Sequence, residues 1–495
     1  MHRILLVSIL VAVTLFPLLT SCSAEKPQAV RMGLASMPLN LDPRFSTDAA
    51  SGRVERLIYQ KLVDFDEAKM PIPVIADWVQ VSPLHYRFIL NNKRNKFHNG
   101  DTLTSKDVKA TYDFILNKDN ASPHRTSLAL IEKVETPDTQ TIDFFLTRND
   151  PLFPAYLVIG IVPHQLIDQD HKFNKQPIGS GPFQFITKTD EGKLQIKRIA
   201  DNLVVEFLHV PNPTVRVLKL QRGEVDIIQN DLPPELVTYL SELETVNIQR
   251  TVGSKFQYIG FNMEDPVLKH VEIRRAIAFA IDRDEIINFV FGHSARETQS
   301  LFPADHWAGN PALKGYEYNP EKAKALLAEF GYTIEKPLEL TYKTSNNPFR
   351  IRIATIYQHQ LKNVGINLDI RSYDWGTFYG DIKSGRFQLY SLAWVGIKTP
   401  DIFRYTMHSG AIPPNGANRG RYINHDVDKM IEEAESYKDL NKQAEVYRKL
   451  QNQLLKDLPY IPLWFEDNVV ITRKRVHHYT ITSEGNFDGL KTVTL

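Results

Sequence analysis

Cysteine occurs once in this chain of 495 residues, at Cys22. No intramolecular disulfide can form, so an oxidising compartment is compatible with the sequence but adds no covalent staple. Long apolar runs are equally scarce. One uncharged, mostly apolar stretch from Ile4 to Phe16 falls short of the roughly 20 residues that a spanning helix needs, and no later stretch approaches it. Excess charge is also absent, with 59 Lys and Arg against 58 Asp and Glu. That balance argues against nucleic acid as a partner, because phosphate binding requires a cationic surface. There is no Gly-x-Ser-x-Gly nucleophile elbow and no His-Glu-x-x-His helix. The 15 histidines are scattered, and the adjacent His477 and His478 would face opposite sides of a strand. Nothing nominates a catalytic centre, a resident metal or a cofactor.

What is present begins at the N-terminus. His2 and Arg3 precede the apolar stretch and small residues follow at Thr20 and Ser21, the pattern of a secretion signal over 1–21. Leu19-Thr20-Ser21-Cys22 resembles the bacterial lipobox, in which the cysteine sulfur receives a diacylglycerol before cleavage and becomes residue one of the mature protein. Cys22 is then a lipidation site, and 22–29 a tether mooring the chain to a membrane, since each buried CH₂ adds about 0.8 kcal/mol. Losing Arg3 with the signal leaves 58 residues of each charge, and no polybasic grip on lipid.

The rest is ordinary globular sequence, 42% hydrophobic and 24% charged, long enough for two or three lobes. In "LTSKDVKATYDFILN" Thr104 caps a helix with Asp107 three residues on, and Val108, Tyr112 and Ile115 share one face. "YNPEKAKALLAEFG" has Asn319 as N-cap, Pro320 at the first helical position and Gly331 as the stop. In "EIRRAIAFAIDRDEIINFVFG" two helices meet at Asp282. Between such helices lie "HYRFIL", "QTIDFFL", "LQIKRI", "FQYIGFN", "LELTYKT", "INLDIRSY" and "DNVVITR", all β-rich. Mixed order predicts α/β lobes built on sheets. Gly179 and Gly181 in "PIGSGPF" read as a tight turn using positive φ rather than a phosphate cradle, and Asn99-Gly100 as a reversal.

Taken in order, "SMPLNLDPR", "LIYQKLVDFD", "PVIADWVQVSPLHYRFILNNKRNKFHNGDTLTSKDVKATYDFI", "PIGSGPFQF", "QRGEVDII", "GFNMEDPVLKHVEIRRAIAFAIDRDEI" and "LPYIPLW" resemble the family-5 extracellular solute-binding proteins, the peptide, oligopeptide and nickel receptors of bacterial ABC importers. The resemblance runs from about Val30 to the C-terminus. It implies a periplasmic-binding-protein-like α/β fold of class II, two hinged jaws with an added third lobe. Lobe I would be assembled from 30–52, 166–262 and 466–495, lobe II from 53–165 and lobe III from 263–465. It also implies a non-enzymatic, monomeric receptor in the periplasm, lipid-anchored, that hands a peptide or peptide-like solute to a membrane permease. An envelope sensor or scaffold on the same fold, or a receptor for haem, a nickel chelate, a muropeptide or an oligosaccharide, are the alternatives.

The resemblance also places a site. In the peptide receptors, the strand of "FQLYSLAWVGIKTPDIFRY" runs along the cleft, pairs with an extended ligand, and an aspartate three residues after the tryptophan holds the ligand's ammonium. Trp394, Val395 and Gly396 match the cleft segment, but the anchor position holds Ile397, which cannot accept from a cation. Asp401, or Asp48 beside Thr47, is a candidate substitute. Ser391 stands where some oligopeptide receptors carry a base, and "ADNLVVEFLHVPNPTVRVLKL" is shortened. Lys343 in "LTYKTSNN" is a candidate partner for a ligand carboxylate, or an exposed strand lysine.

Overall fold

Caps and periodicity set the helices that frame the molecule. The computed structural model describes residues 29–66, 69–91, 96–190 and 192–495; the signal segment, Cys22 and nearly all of the tether lie outside them. Helix Ser105–Leu116 starts where Thr104 donates from its N–H and Oγ1 to the Asp107 carboxylate, at 2.7 and 3.0 Å. Helix Pro320–Ala328 starts at Asn319, whose Oδ1 accepts from the Lys322 N–H at 3.0 Å, and Gly331 follows at φ +77°. Asp282 separates Val271–Ala280 from Arg283–Phe289 and caps the second, accepting from the Glu285 N–H. These side-chain oxygens satisfy N–H groups that a helix cannot pair internally.

One sheet of eleven strands runs through both jaws. The strands needed below are β1 (Ala29–Leu34), β2 (Ile227–Gln229), β3 (Val246–Phe261), β4 (Leu338–Ser345), β5 (Ile366–Tyr373), β6 (Leu389–Trp394) and β7 (Tyr460–Arg473). Along the sheet they lie in the order β5, β4, β6, β3, β7, β2, β1, followed by Val204–His209, Lys193–Arg198 and Phe183–Lys188, and the eleventh strand, Ala295–Glu297, pairs β7 off this path. β3 and β7 are the two long antiparallel crossings. The register of β3 on β7 shifts between Thr251 and Lys255, and such a shift increases local twist and bends a strand. On one side of the shift β7 pairs β2, Ile227 opposite Thr472. On the other, β3 pairs β6, Phe256 opposite Trp394. The bend therefore lies where one jaw passes to the other.

Each lobe has its own apolar core. Residues from 30–59, 162–207, 227 and 470–493 pack as one cluster. Leu62 to Ile161 form a second around a four-stranded sheet. Two clusters fill the stretch after β3. Helix Ala49–Ile58, here α1, runs unbroken through the expected lobe boundary at 52/53. Its Val54, Leu57 and Ile58 are buried in the first core.

The glycines of "PIGSGPF" require a correction. Neither Gly179 nor Gly181 has a positive φ. A Cβ on Gly179 would stand 2.1 Å from the Ile58 carbonyl oxygen, and one on Gly181 2.5 Å from that of Leu57. The Gly181 N–H donates to Ile58 O at 2.7 Å. Close backbone approach to the C-terminal end of α1, and not turn conformation, is what demands glycine here.

Candidate functional site

Between the jaws lies a cavity of about 590 Å³, within the usual range for small-molecule sites. β6 forms one wall. Its inner edge pairs β3 throughout, whereas β4 pairs its outer edge only at Leu389 and Tyr390. Among the described residues, Ser391 to Trp394 therefore have no strand on the outer edge, and Ser391, Ala393, Trp394, Val395 and Gly396 line the cavity. The opposite jaw contributes Thr47, Asp48 and Arg53 from the start of α1.

Helix Trp375–Ser384 connects the two sides. Tyr379 Oη lies 2.9 Å from Thr47 Oγ1 and 3.1 Å from Thr47 O, and it accepts from Arg419 Nη2 at 3.0 Å. Arg419 lies over the Trp394 ring, 4.5 Å from its centroid, and also reaches Tyr258 Oη at 3.3 Å. It is 4% exposed and has no carboxylate partner among the described residues. Asp48 caps α1, accepting from Ser51 N–H and Oγ at 3.0 and 2.5 Å, and burial raises its pKa. Glu55 accepts from Ser46 Oγ at 2.6 Å; burial pushes its carboxyl well above the ordinary range.

At the back of the cavity, four charges close on one another. The β3–β7 register puts Lys255 opposite Glu466. Lys255 Nζ stands 3.0 Å from both Glu466 and Asp231. Arg350, from helix Pro348–Lys362, donates to Glu466 at 2.6 and 3.1 Å and to Asp231 at 3.2 Å. Against the burial that opposes it, Arg350 and Lys255 hold the Glu466 carboxyl down to about 2 and draw Asp231 lower still. A second cluster lines the rim. Arg56 and Lys61 share Asp64, at 2.6 and 2.9 Å, and burial beside Arg56 brings Lys61 down to about 8.

Three residues singled out in the sequence do not line the cavity. Strand alternation turns Tyr342 and Thr344 of β4 into it and Lys343 away; the lysine pairs with Asp381 at 2.6 Å. Gly396 adopts φ +72°, and beyond that turn Ile397 packs against an apolar cluster instead of pointing at the cavity. Asp401 opens helix Asp401–Met407, accepts from Thr399 Oγ1 and faces Glu435 and Asp150; burial raises its carboxyl to about 7. Conversely Arg53, Arg350 and Arg419 line the cavity without having stood out in the sequence. Their only signal is the type, since buried arginine is uncommon and is normally paired.

Two lobes joined by crossing strands, closed on a cavity of mixed polarity that lies outside either core, define a protein that binds solutes between jaws. The model of the bacterial extracellular solute-binding proteins, family 5 Middle, matches residues 71–413, and the chain belongs to that family. It is similar to the dipeptide-binding protein of Escherichia coli K12, 27% identical over 475 residues, 86% of this chain and 87% of that protein. Among solved structures it resembles the oligopeptide-binding protein AppA of Bacillus subtilis in complex with a nonapeptide, with a TM-score of 0.88 at 23% identity, covering 95% of this chain and 100% of that one. NikZ of Campylobacter jejuni in complex with Ni(L-His) gives a TM-score of 0.85 at 22% identity over 94% of this chain and 99% of that one. The proteins it matches are solute receptors, and this chain is a receptor rather than an enzyme. Among the described residues no three or more His, Cys, Asp or Glu side chains group to hold a metal ion, and no helix is long and apolar enough to cross a membrane.

Proposed function

We propose that the chain is the solute-capturing subunit of an ABC importer, that it holds a peptide or peptide-like solute in the interlobe cavity and delivers it unaltered to a membrane permease, and that lipid on Cys22 tethers it. The open outer edge of β6 supports the peptide-like part: a strand edge with no partner, lining a closed cavity, offers N–H and C=O groups to an extended ligand, as in strand addition. The Tyr379–Thr47 contact supports capture by closure, because it joins the jaws at the cavity wall. A solute touching both sides biases the open–closed equilibrium by its differential contacts. Thr47, Asp48, Trp394, Val395 and Gly396 are assigned to the solute; Lys343, Ile397 and Asp401 are not. Titration calorimetry with a di- to pentapeptide library tests the assignment: saturable binding that Ser391→Pro weakens is expected, since proline removes an edge N–H, and equal affinity in the variant contradicts it. For the tether, Cys22→Ser is expected to move the chain from the membrane fraction to the soluble envelope fraction, and unchanged fractionation contradicts it.

A further inference from the structure

The cavity's polar groups are lopsided. Four side-chain nitrogens and oxygens that are buried without a hydrogen-bond partner belong to residues lining it: Arg53 Nε, Trp375 Nε1, Trp464 Nε1 and Glu55 Oε1. Three of these are donors. Trp464 is 1% exposed, and a buried donor with no acceptor is a group that native structures rarely leave unmet. Arg53 has no ion pair among the described residues, and its guanidinium lies 5.6 Å from the centroid of the Phe487 ring. Burial lowers its pKa, against the opposing pull of Asp231 and Asp48, neither of which forms an ion pair with it. Arg419, on the other wall, is a buried cation held, among the described residues, by tyrosine hydroxyls and two aromatic faces.

The carboxylates nearby are already committed. Asp231 is taken by Lys255 and Arg350, Asp48 by the α1 cap, and Glu484 by Lys69 at 2.5 Å and Lys398 at 3.9 Å. Arg56, Lys61 and Lys398 also line the cavity; they pair with Asp64, Asp488 and Glu484, of which Asp64 and Asp488 do not line it. Glu55 remains: burial pushes its carboxyl well above the ordinary range, and its Oε1 is buried without a hydrogen-bond partner. A chain that is neutral as a whole thus encloses a cationic, donor-rich cavity, which concentrates anions at its mouth.

Resting on the receptor reading above, we infer that the solute is anionic and acceptor-rich, with a carboxylate or equivalent acid set against Arg53 and Arg419, and that its recognised end carries no free ammonium. A blocked or amine-free acidic peptide-like compound satisfies the orphaned donors and meets no charge it must displace. A free α-ammonium, by contrast, finds only carboxylates already paired with cations or capping α1, and burying that cation without a partner of its own is costly.

Calorimetry on the folded chain with three probes of similar size separates the cases. Acetyl-Ala-Glu is expected to bind at least about 10-fold more tightly than Ala-Glu, and Ala-Lys-amide not at all, since hydrogen bonds to charged groups contribute enough for about a 10- to 100-fold change. Arg53→Met is expected to weaken acetyl-Ala-Glu by about that factor while raising the melting temperature of the ligand-free chain, because it removes an unpaired buried charge. A purely structural arginine would lower the melting temperature. Ala-Glu equalling acetyl-Ala-Glu, or any binding of Ala-Lys-amide, overturns the inference and leaves the receptor reading standing. Should all three probes fail, the solute released by unfolding the purified chain decides. An anion that an amine-reactive dye leaves unlabelled supports the inference, a labelled or cationic solute overturns it alone, and an empty chain overturns both.

Discussion

Glu466→Gln tests the charge cluster at the back of the cavity. The carboxylate is 10% exposed and answers two cations, Arg350 at 2.6 Å and Lys255 at 3.0 Å, that among the described residues are otherwise balanced by Asp231 alone. Glutamine keeps the volume and one acceptor but leaves two buried cations on one anion. Breaking a buried pair in this way costs about 3–5 kcal/mol. The depressed pKa gives a similar figure: holding the carboxyl at about 2 rather than its ordinary 4.5 corresponds to about 3 kcal/mol of stability at neutral pH. Because the folded pKa is lowered, that contribution is fully present above 4.5 and is lost as pH falls towards 2. The difference between the parent and the variant should therefore shrink from about 3 kcal/mol at pH 7 to about 1.5 at pH 3. Unfolding entropy of about 2.1 cal/mol/K per residue over 495 residues makes the neutral-pH loss about 3 °C in Tm. Calorimetric melting of both proteins between pH 3 and 7 reads this out. A loss below 1 °C at pH 7, or one that does not change with pH, would refute the reasoning.

Asp401→Asn should behave in the opposite sense. The native carboxyl, raised to about 7, makes stability fall as pH rises, so the variant gains up to about 1.5 kcal/mol at pH 5 and about 4 at pH 8, checked by denaturant unfolding at both pH values. Gly179→Ala places a methyl 2.1 Å from Ile58 O and should cost about 3 kcal/mol or more, seen as a lower urea midpoint. Ile397→Asp puts a carboxylate into an apolar cluster and should lower stability by about 1–3 kcal/mol without improving affinity for free-amino peptides, by calorimetry. Tyr379→Phe removes the link from Arg419 to Thr47 and should weaken solute binding about 10-fold, mostly through faster release in stopped-flow.

Local rules carried much of the fold. Asn319-Pro320, Thr104 with Asp107, and Asp282 each mark a helix start because the cap is chemistry within four residues, and "HYRFIL" and "INLDIRSY" coincide with strands His85–Leu90 and Ile366–Tyr373. Strand β7 was half legible. "DNVVITR" reads as β, but the strand begins seven residues earlier, at Tyr460. Pro462 there looks like a breaker, and it is accommodated where the β3 register slips between Gln257 and Tyr258. The cavity wall from Trp394 to Gly396 was reachable only through family resemblance, since period-2 patterning does not say what faces a strand edge. Lys343 could have been set aside by parity with its neighbours. The guanidiniums of Arg53, Arg350 and Arg419 could not have been found, because the distance that makes an arginine paired or orphaned is fixed by strands and loops more than a hundred residues apart.

The most direct measurement of capture between the jaws is native mass spectrometry of the chain purified from an envelope fraction, beside Gly52→Trp. Gly52 lines the cavity and a Cβ there meets nothing within 4 Å, so the indole fills the cavity without displacing structure. One solute mass per parent chain, released unaltered on unfolding and missing from the variant, is predicted. An identical adduct on both proteins, or a bare mass for the parent, would contradict the account.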